Sequence, residues 1–178
     1  AAMPVPLVHY KVCSTFDSSP ATGSIGAALD IARPLFGDCV VPIVAGAPAL
    51  GRYCAFGHLF ARAATDGRLY RLDRHPIMRQ HPVTPMTESD LARHLNAQTD
   101  LSIAHISLAQ LALSHVQQDA AVDASVRSGA QALLFDGVQD AHLLDTGRQL
   151  ERLARVRGRP LFAVGPSGLE YALTQWWQ

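Results

Sequence analysis

The feature that most limits the fold of this chain is an alternation between two hydrophobic patterns along its length. Short apolar runs suited to buried strands, such as residues 39–44 and 132–135, are separated by segments with apolar residues at helical spacing. This alternation predicts an α/β fold with a mainly parallel sheet flanked by helices. The length of 178 residues favours a single domain, residues 1–178.

The predicted elements follow one another with short connections. Strands are expected at residues 5–13, 39–44, 101–107, 132–135 and 160–164. Helices are expected at residues 24–36, 87–98, 108–117, 141–156 and 169–177. Segments 52–61 and 68–72 flank Asp66-Gly67, a pair that favours a tight turn, so a β-hairpin or loop excursion is expected there. Thr87 is the expected N-cap of the second helix.

Charge and cysteine content argue against several classes of protein. Fifteen basic residues balance fifteen acidic ones, which leaves no basic field for nucleic acid. The three cysteines form no C-x-x-C pair, which argues against a zinc ribbon or a secreted disulfide framework. No run approaches the ~18 apolar residues of a membrane helix. We therefore expect a cytoplasmic protein without a nucleic-acid or membrane partner, although a local anion site stays open.

A polar loop follows the first expected strand and leads into a helix start at residues 23–26. Ligands bind at the carboxyl ends of strands in open α/β sheets, and hydroxyls, a lysine and free helix-start amides can bind an oxyanion. A serine- and threonine-rich connector with capping residues would have the same pattern, and the two interpretations stay open. The candidate residues of this loop are Lys11, Ser14, Thr15, Asp17 and Ser18.

A second polar segment, residues 71–86, holds two His-Pro pairs, three arginines and an aspartate. Its prolines argue against a helix, and arginine can recognise carboxylates and phosphates through two parallel hydrogen bonds. We expect anion binding here. The alternative is a structural loop held by an ion pair between Asp73 and an arginine. A metal site at His75 and His81 lacks a third ligand with suitable spacing, so no metal is expected.

The last expected strand and helix are joined by Gly165-Pro-Ser-Gly168. Such a turn can expose amides to a phosphate, but it is also an ordinary connector, which is the favoured interpretation from these residues alone. Asp136, just past a strand and beside Gly137, is either a site residue or a turn former, and the turn former is the favoured interpretation. The histidines outside residues 71–86 are interpreted as structural or surface residues.

Residues 10–26, 71–91 and 164–173 together resemble the four-carbon acid sugar kinases, most of all the 3-oxo-tetronate kinase branch. The resemblance implies an amino-terminal α/β domain for the sugar acid and a separate carboxyl-terminal domain for ATP with Mg²⁺. It implies a sugar-acid pocket lined by Lys11, Ser14, Thr15, Asp17, Ser18, Arg71, Arg74, His75 and His81. It places Gly165, Ser167 and Gly168 near the nucleotide.

The chain departs from the family pattern in three respects. Pro166 lacks an amide hydrogen where the family has a Gly-Ser-Ser-Gly turn. An opening Asp-Asp-x-Thr-Gly-Ala motif and a glycine-rich nucleotide domain have no counterpart in these 178 residues. We therefore expect a fragment that lacks the ATP-binding domain and does not transfer phosphate alone.

The expected function is to bind a four-carbon sugar acid, of the 3-oxo-tetronate, threonate or erythronate type, for an ATP-dependent kinase. The expected partners are that acid and the missing nucleotide domain, and a homo-oligomer is left open. The alternative is a non-catalytic remnant or partner subunit that binds an acidic metabolite. The sugar-acid interpretation requires the loop after the first strand and residues 71–86 to face each other.

Overall fold

The computed structural model describes residues 6–156 and 159–178. Its strands are β1 (Leu7–Lys11), β2 (Val41–Val44), β3 (Arg52–Ala55), β4 (His58–Arg62), β5 (Leu69–Arg71), β6 (Ile103–Ile106), β7 (Ala132–Phe135) and β8 (Leu161–Gly165). Its helices are α1 (Ile25–Leu35), α2 (Leu91–Asn96), α3 (Leu108–Leu111), α4 (His115–Arg127), α5 (Asp140–Arg155) and α6 (Ser167–Trp177). Short 3₁₀ turns lie at Pro48–Leu50, Leu72–Arg74 and Met78–Gln80.

Five strands form a parallel sheet in the order β1-β8-β2-β7-β6, and β3-β4-β5 form a small antiparallel sheet. The predicted α/β class is therefore confirmed. Because all five strands of the larger sheet run in the same direction, the loops after β1, β8, β2, β7 and β6 emerge at one edge. Two polar segments singled out in the sequence, the loop after β1 and the turn after β8, therefore lie at that edge.

Helices cover both faces of the parallel sheet, and each face has its own apolar core. Ile43 and Leu134 belong to a cluster with Leu29 of α1 and Leu91 of α2. Val44, in contrast, belongs to a second cluster with residues of α4, α5 and α6. The middle strands β2, β7 and β8 are buried along their whole length, as expected for parallel strands with helices on both sides.

Several elements agree closely with the prediction. β7 has the predicted bounds, and α1 begins after Ser24, whose hydroxyl accepts a hydrogen bond from the Ala27 amide. The hairpin around Asp66-Gly67 is confirmed, since β4 and β5 pair antiparallel on either side of it. The expected first strand began at residue 5, which lies outside the described residues.

Three local predictions are wrong. Residues 52–61 are two strands that turn at Phe56-Gly57, both with positive φ (50° and 80°). The N-cap of α2 is Asp90, whose carboxylate accepts from the Arg93 amide, and not Thr87. The expected helix at 108–117 is α3 followed by α4, because Ser114 starts a new helix with its own capping box. Within the described residues, no helix is long and apolar enough to cross a membrane.

Candidate functional site

The ends of β1 and β8 bring two of the predicted segments together. Lys11 pairs in register with Gly165, so the lysine lies beside the turn that starts α6. Its Nζ donates a 2.9 Å hydrogen bond to Ser167 Oγ. Among the described residues, nothing accepts a hydrogen bond from the amides of Ser167 or Gly168. The exposed ammonium of Lys11 thus lies beside the positive end of the α6 dipole, and this combination suits an oxyanion.

The glycines of this turn allow the start of α6 to lie directly on the end of β2. A Cβ at Gly168 would lie 1.8 Å from the carbonyl oxygen of Gly46, and one at Gly165 would lie 2.7 Å from that of Val44. His9 supports the same turn, with Nε2 2.8 Å from the Gly165 carbonyl oxygen. The turn is therefore held on a closely packed base.

The loop after β1 is anchored by Phe16, which is fully buried although its φ is 53°. On either side of this anchor, Thr15 Oγ1 donates a 2.5 Å hydrogen bond to Asp17 Oδ1. Cys13 Sγ lies 3.0 Å from the same hydroxyl. Ser14 is partly exposed in the same turn. Thr15 is buried, whereas Cys13 is exposed and Asp17 is partly exposed. The buried hydroxyl therefore holds the carboxylate of the loop in a fixed position beside the thiol.

Residues 71–86 lie against this loop, as the sugar-acid interpretation requires. Thr84 Oγ1 lies 3.5 Å from Asp17 Oδ2 and 3.0 Å from His81 Nδ1. The Thr84 amide also donates to His81 Nδ1, at 3.1 Å. Asp17, Thr84 and His81 thus form a chain of polar contacts that connects the two segments. Phe16 and Met86 lie in the same buried cluster and reinforce this contact.

Ser18 is buried behind the loop. Its hydroxyl donates to the Phe16 carbonyl oxygen at 2.9 Å, lies 2.9 Å from His94 Nε2 and accepts from Gln98 Nε2 at 2.9 Å. Burial lowers the pKa of His94, although its contact with the Phe16 carbonyl acts in the opposite direction. Ser18 therefore holds the loop on α2 from the inside.

The start of α1 is not available to an oxyanion, contrary to the sequence-based expectation. Gln98 Oε1 accepts from the amide of Ile25 at 2.9 Å and from that of Gly26 at 3.3 Å. Ser24 Oγ accepts from the amide of Ala27 at 3.0 Å. The helix-start amides that the sequence offered are therefore occupied by a glutamine 72 residues further along the chain.

The arginines of residues 71–86 differ in their surroundings. Arg71 donates two hydrogen bonds to Asp73, from Nε to Oδ1 at 2.6 Å and from a terminal nitrogen to Oδ2 at 2.7 Å. The hydrogen bond from Arg71 is the main reason that the pKa of Asp73 is lowered to about 2. Arg74 is exposed, with Nε 3.4 Å from Asp73 Oδ2. Arg71 is thus engaged with the loop itself, whereas Arg74 faces solvent.

His75 is buried at the centre of this segment. Its Nδ1 accepts from the amides of Ile77 and Met78, each at 3.2 Å, and its ring meets Tyr70 edge-on with centroids 6.0 Å apart. Burial lowers the pKa of His75, and the positive charge of Arg52 lowers it further. The neutral ring therefore fixes the corner between two 3₁₀ turns.

Comparison with known proteins identifies the family of the chain. Residues 1–173 match the model of the sugar-binding N-terminal domain family. The chain belongs to that family. It is 44% identical over 178 residues to a 3-oxo-isoapionate kinase of Paraburkholderia graminis, which it matches along 100% of its own length. It is 33% identical over 168 residues, 94% of its length, to a 3-oxo-tetronate kinase of Methylobacterium radiotolerans.

These relatives are much longer than the chain, which spans 36% of each. Among solved structures, a protein of Salmonella typhimurium LT2 has a TM-score of 0.83 at 28% identity. That match covers 97% of this chain and 38% of the other. The predicted resemblance to the 3-oxo-tetronate kinase branch is therefore confirmed. The chain matches only part of the length of these relatives, as the sequence had predicted.

One residue of the sugar-binding domain has a larger role than its sequence suggested. The Asp136 carboxylate, at the end of β7, accepts from the amides of Phe56 (2.7 Å), Gly57 (3.0 Å) and Leu108 (3.0 Å). His105 Nε2 lies 2.9 Å from Oδ1, an ion-pair distance whose angle is poor for a hydrogen bond. Asp136 therefore fastens the β3–β4 turn and the start of α3 to the edge of the sheet that carries the site.

Burial raises the pKa of Asp136, but His105 and the backbone amides oppose it, and the net pKa lies below the ordinary value. The signal available in the sequence was an aspartate directly after four apolar residues, since a carboxylate in that position must find partners.

The described residues include no group of three or more His, Cys, Asp or Glu side chains that could hold a metal ion. At the ends of β1 and β8, the groups that fit an anionic ligand are Lys11, the hydroxyl of Ser167 and the first amides of α6. These donors are suited to the oxygens of a carboxylate or of a phosphate. The arrangement can therefore bind and orient an anion at the carboxyl edge of the sheet.

Proposed function

We propose that this domain holds the substrate of an ATP-dependent kinase that phosphorylates a sugar acid, of the 3-oxo-tetronate, threonate or erythronate type or the 3-oxo-isoapionate for which one relative is named. The observation that carries the proposal is the match of residues 1–173 to a sugar-binding domain. The two reported relatives are named 3-oxo-isoapionate kinase and 3-oxo-tetronate kinase.

The chemistry of a sugar acid fits the polar groups at the carboxyl edge. The carboxylate would be bound by Lys11, Ser167 and the amide of Gly168, which combine a full charge with hydrogen-bond donors. The Asp17 carboxylate, which is held by the buried Thr15 hydroxyl, would orient the substrate hydroxyls. Substrate oriented in this way meets the phosphoryl donor in one geometry, which is the main contribution of a protein to phosphoryl transfer.

The remaining predicted residues take two kinds of role in this proposal. Ser14 and His81 are partly exposed and would contact the acid or its immediate surroundings, whereas the exposed Arg74 lines a different cavity. Ser18, Arg71 and His75 are engaged with their own loops and would act by holding the pocket in shape. Such positioning groups matter because a displacement of about 1 Å at a reacting centre can cost a hundredfold in rate.

In the complete enzyme, ATP with Mg²⁺ would supply the phosphoryl group. We propose that Gly165, Ser167 and Gly168 border the side on which the nucleotide lies, because the Ser167 and Gly168 amides, which have no acceptor among the described residues, suit an anionic neighbour. We propose that a separate carboxyl-terminal domain holds the nucleotide. The chain alone is expected to bind a sugar acid and to transfer no phosphate.

Binding can be tested through Lys11, which is the only lysine in the sequence. Reductive methylation with labelled formaldehyde would mark this amine and the amino terminus while keeping the charge. We expect the Lys11 methyl resonance to shift and saturate on titration with erythronate or threonate, and not with the neutral polyol erythritol. A Lys11 resonance that stays in place with every sugar acid would contradict the proposed site.

Catalysis can be tested with a chimaera. The chain would replace the matching segment of the Paraburkholderia graminis 3-oxo-isoapionate kinase, with which it shares 44% identity. We expect ATP-dependent phosphorylation of a sugar acid by the chimaera and none by the chain alone. A folded chimaera that binds the acid but never phosphorylates it would instead favour the non-catalytic binding module.

A further inference from the structure

Residues 71–86 use most of their polar side chains internally. Arg71 is paired with Asp73, His75 accepts from two amides, and His81 contacts Thr84. Two arginines differ from these. Arg79 makes no side-chain hydrogen bond or ion pair with any residue that the structure describes, and Arg74 has only the long 3.4 Å contact with Asp73. Both side chains are exposed.

The backbone brings these two arginines to one cavity. Arg74 ends the first 3₁₀ turn and Arg79 lies in the second, with His75 at the corner between them. The Arg79 amide donates to the His75 carbonyl oxygen at 3.0 Å, and the Met86 amide donates to that of Met78 at 2.9 Å. A cavity of about 310 Å³ lies here, lined by Asp73, Arg74, Arg79 and Thr87. The cavity wall is therefore a hydrogen-bonded scaffold.

The charges around the cavity favour an anion. Asp73 is already neutralised by the two hydrogen bonds from Arg71. The neighbouring carboxylate of Glu88 lies 3.5 Å from Arg93 Nε. Arg74 shares the Asp73 carboxylate with Arg71, and Arg79 has no acidic partner among the described residues. Positive charge is therefore in excess at the cavity, which Thr87 also lines. The cavity is large enough for a phosphate ion and offers donors on more than one side.

From these contacts we propose that Arg74, Arg79 and Thr87 form a binding site for a phosphate group. One carboxylate is satisfied by a single arginine, whereas two guanidinium groups from different turns and a hydroxyl match a dianion with tetrahedrally arranged oxygens. The phosphate can belong to free inorganic phosphate, to a nucleotide or to a phosphorylated sugar acid. All three present the same oxygens to the arginines.

The biological meaning of this phosphate site rests on the proposed function. A sugar-acid kinase binds phosphate groups both in its phosphoryl donor and in its product. The site differs from the Lys11–Ser167 site in its residues and its ligand. It can therefore fail while the kinase proposal stands, and the reverse also holds. A test with inorganic phosphate alone keeps the two questions separate, because it needs neither ATP nor sugar acid.

Amide chemical shifts of the whole chain, followed during titration with sodium phosphate at constant ionic strength, would test the site. We expect saturable shifts at residues 74–80 and at Thr87. Arg79→Ala should weaken phosphate binding about tenfold, since a hydrogen bond to a charged group is typically of that strength. Arg127→Ala, which removes an exposed arginine at the end of α4, should leave the affinity unchanged.

The source of the phosphate would be separated by parallel titrations with ATP, with a phosphorylated sugar acid and with erythronate, which has a carboxylate only. We expect the first two to shift the same amides and erythronate to leave them in place. Phosphate that shifts no amide of residues 74–80, or equal binding by the wild type and a folded Arg79→Ala variant, would overturn the proposal. Arg79→Lys should restore part of the affinity, because it keeps the charge and loses the paired donors.

Discussion

Lys11 donates a 2.9 Å hydrogen bond to the hydroxyl of Ser167, a residue 156 positions later in the chain. The contact arises because β1 and β8 pair in parallel and in register, so both strands end at the same level of the sheet. It joins two segments that the sequence had suggested for different ligands, one for a sugar acid and one for a nucleotide. An anion held there would be in contact with both.

Replacing Lys11 should weaken the binding of a sugar acid and should have little effect on the stability of the domain. Lys11→Met keeps the length of the side chain and removes the charge, so we expect the dissociation constant for a sugar acid to rise about tenfold. Because Lys11 is exposed, the free energy of unfolding should change by less than about 1 kcal/mol. Calorimetric titration and urea unfolding measure the two quantities. An unchanged dissociation constant would exclude Lys11 from the site.

Gly168→Ala should destabilise the domain. The new Cβ would lie 1.8 Å from the Gly46 carbonyl oxygen, and backbone cannot move aside as a flexible side chain can. We expect a loss of about 3 kcal/mol in the free energy of unfolding, measured by urea denaturation. Gly137→Ala is the matched control, because its Cβ would meet its nearest neighbours at 3.4 Å and no positive φ is involved. Equal losses in both variants would contradict the packing argument.

Asp136→Asn should destabilise the edge of the sheet that carries the site. The change replaces a carboxylate that accepts from three backbone amides with a group that has only one acceptor oxygen. We expect a loss of about 3 kcal/mol in the free energy of unfolding. Asp123→Asn breaks a partly exposed ion pair with Arg152 and should cost at most about 1 kcal/mol. If the two variants were equally stable, Asp136 would not be the clamp that the structure indicates.

Stability should fall as the solution is acidified. Burial lowers the pKa of both His94 and His75, so their folded values lie below the unfolded value of about 6.5. Protonation then favours the unfolded state, and the stability present above that pH is lost as the pH falls. Urea unfolding between about pH 7 and about pH 5 should show this loss, and His94→Gln should reduce it. An equally steep loss in His94→Gln would be inconsistent with a buried neutral His94.

Thiol chemistry offers an independent probe of the site. Cys13 is exposed and lies beside Thr15, whereas Cys39 and Cys54 are buried. Burial and the nearby Asp136 raise the pKa of the Cys54 thiol, which slows its reaction further. We expect a thiol reagent to modify one cysteine rapidly in the native protein, and a bound sugar acid to slow that modification. Rapid modification of a Cys13→Ser variant would show that another thiol is accessible.

Much of the fold could be predicted because its signals are local. The four apolar residues of β7 gave its bounds, and Ser24 marked the start of α1 through a hydroxyl that accepts from an amide three residues on. Asp66-Gly67 marked a hairpin for the same reason. The Phe56-Gly57 turn carries a weaker signal, because a phenylalanine with positive φ is unusual and is held there by Asp136, 80 residues away.

The candidate site divides in the same way. Its polar residues were identified from residue type and from their places after strands, but their partners were not. The sequence does not show that Gln98 occupies the amides at the start of α1, or that His75 is buried between two turns. Nor does it distinguish Arg71, which is paired with Asp73, from Arg79, which has no such partner among the described residues. These contacts depend on where distant segments pack.

The sequence alone determined the α/β class, the order of most elements and the segments rich in anion-binding side chains, because hydrophobic period, caps and turn pairs act over a few residues. Only the tertiary structure decided which donors remain free and which are used to hold loops in place. The physical reason is that a hydrogen bond across the sheet depends on strand order and register. Parallel pairing of β1 with β8 put Lys11 beside Ser167, and no local pattern specifies that pairing.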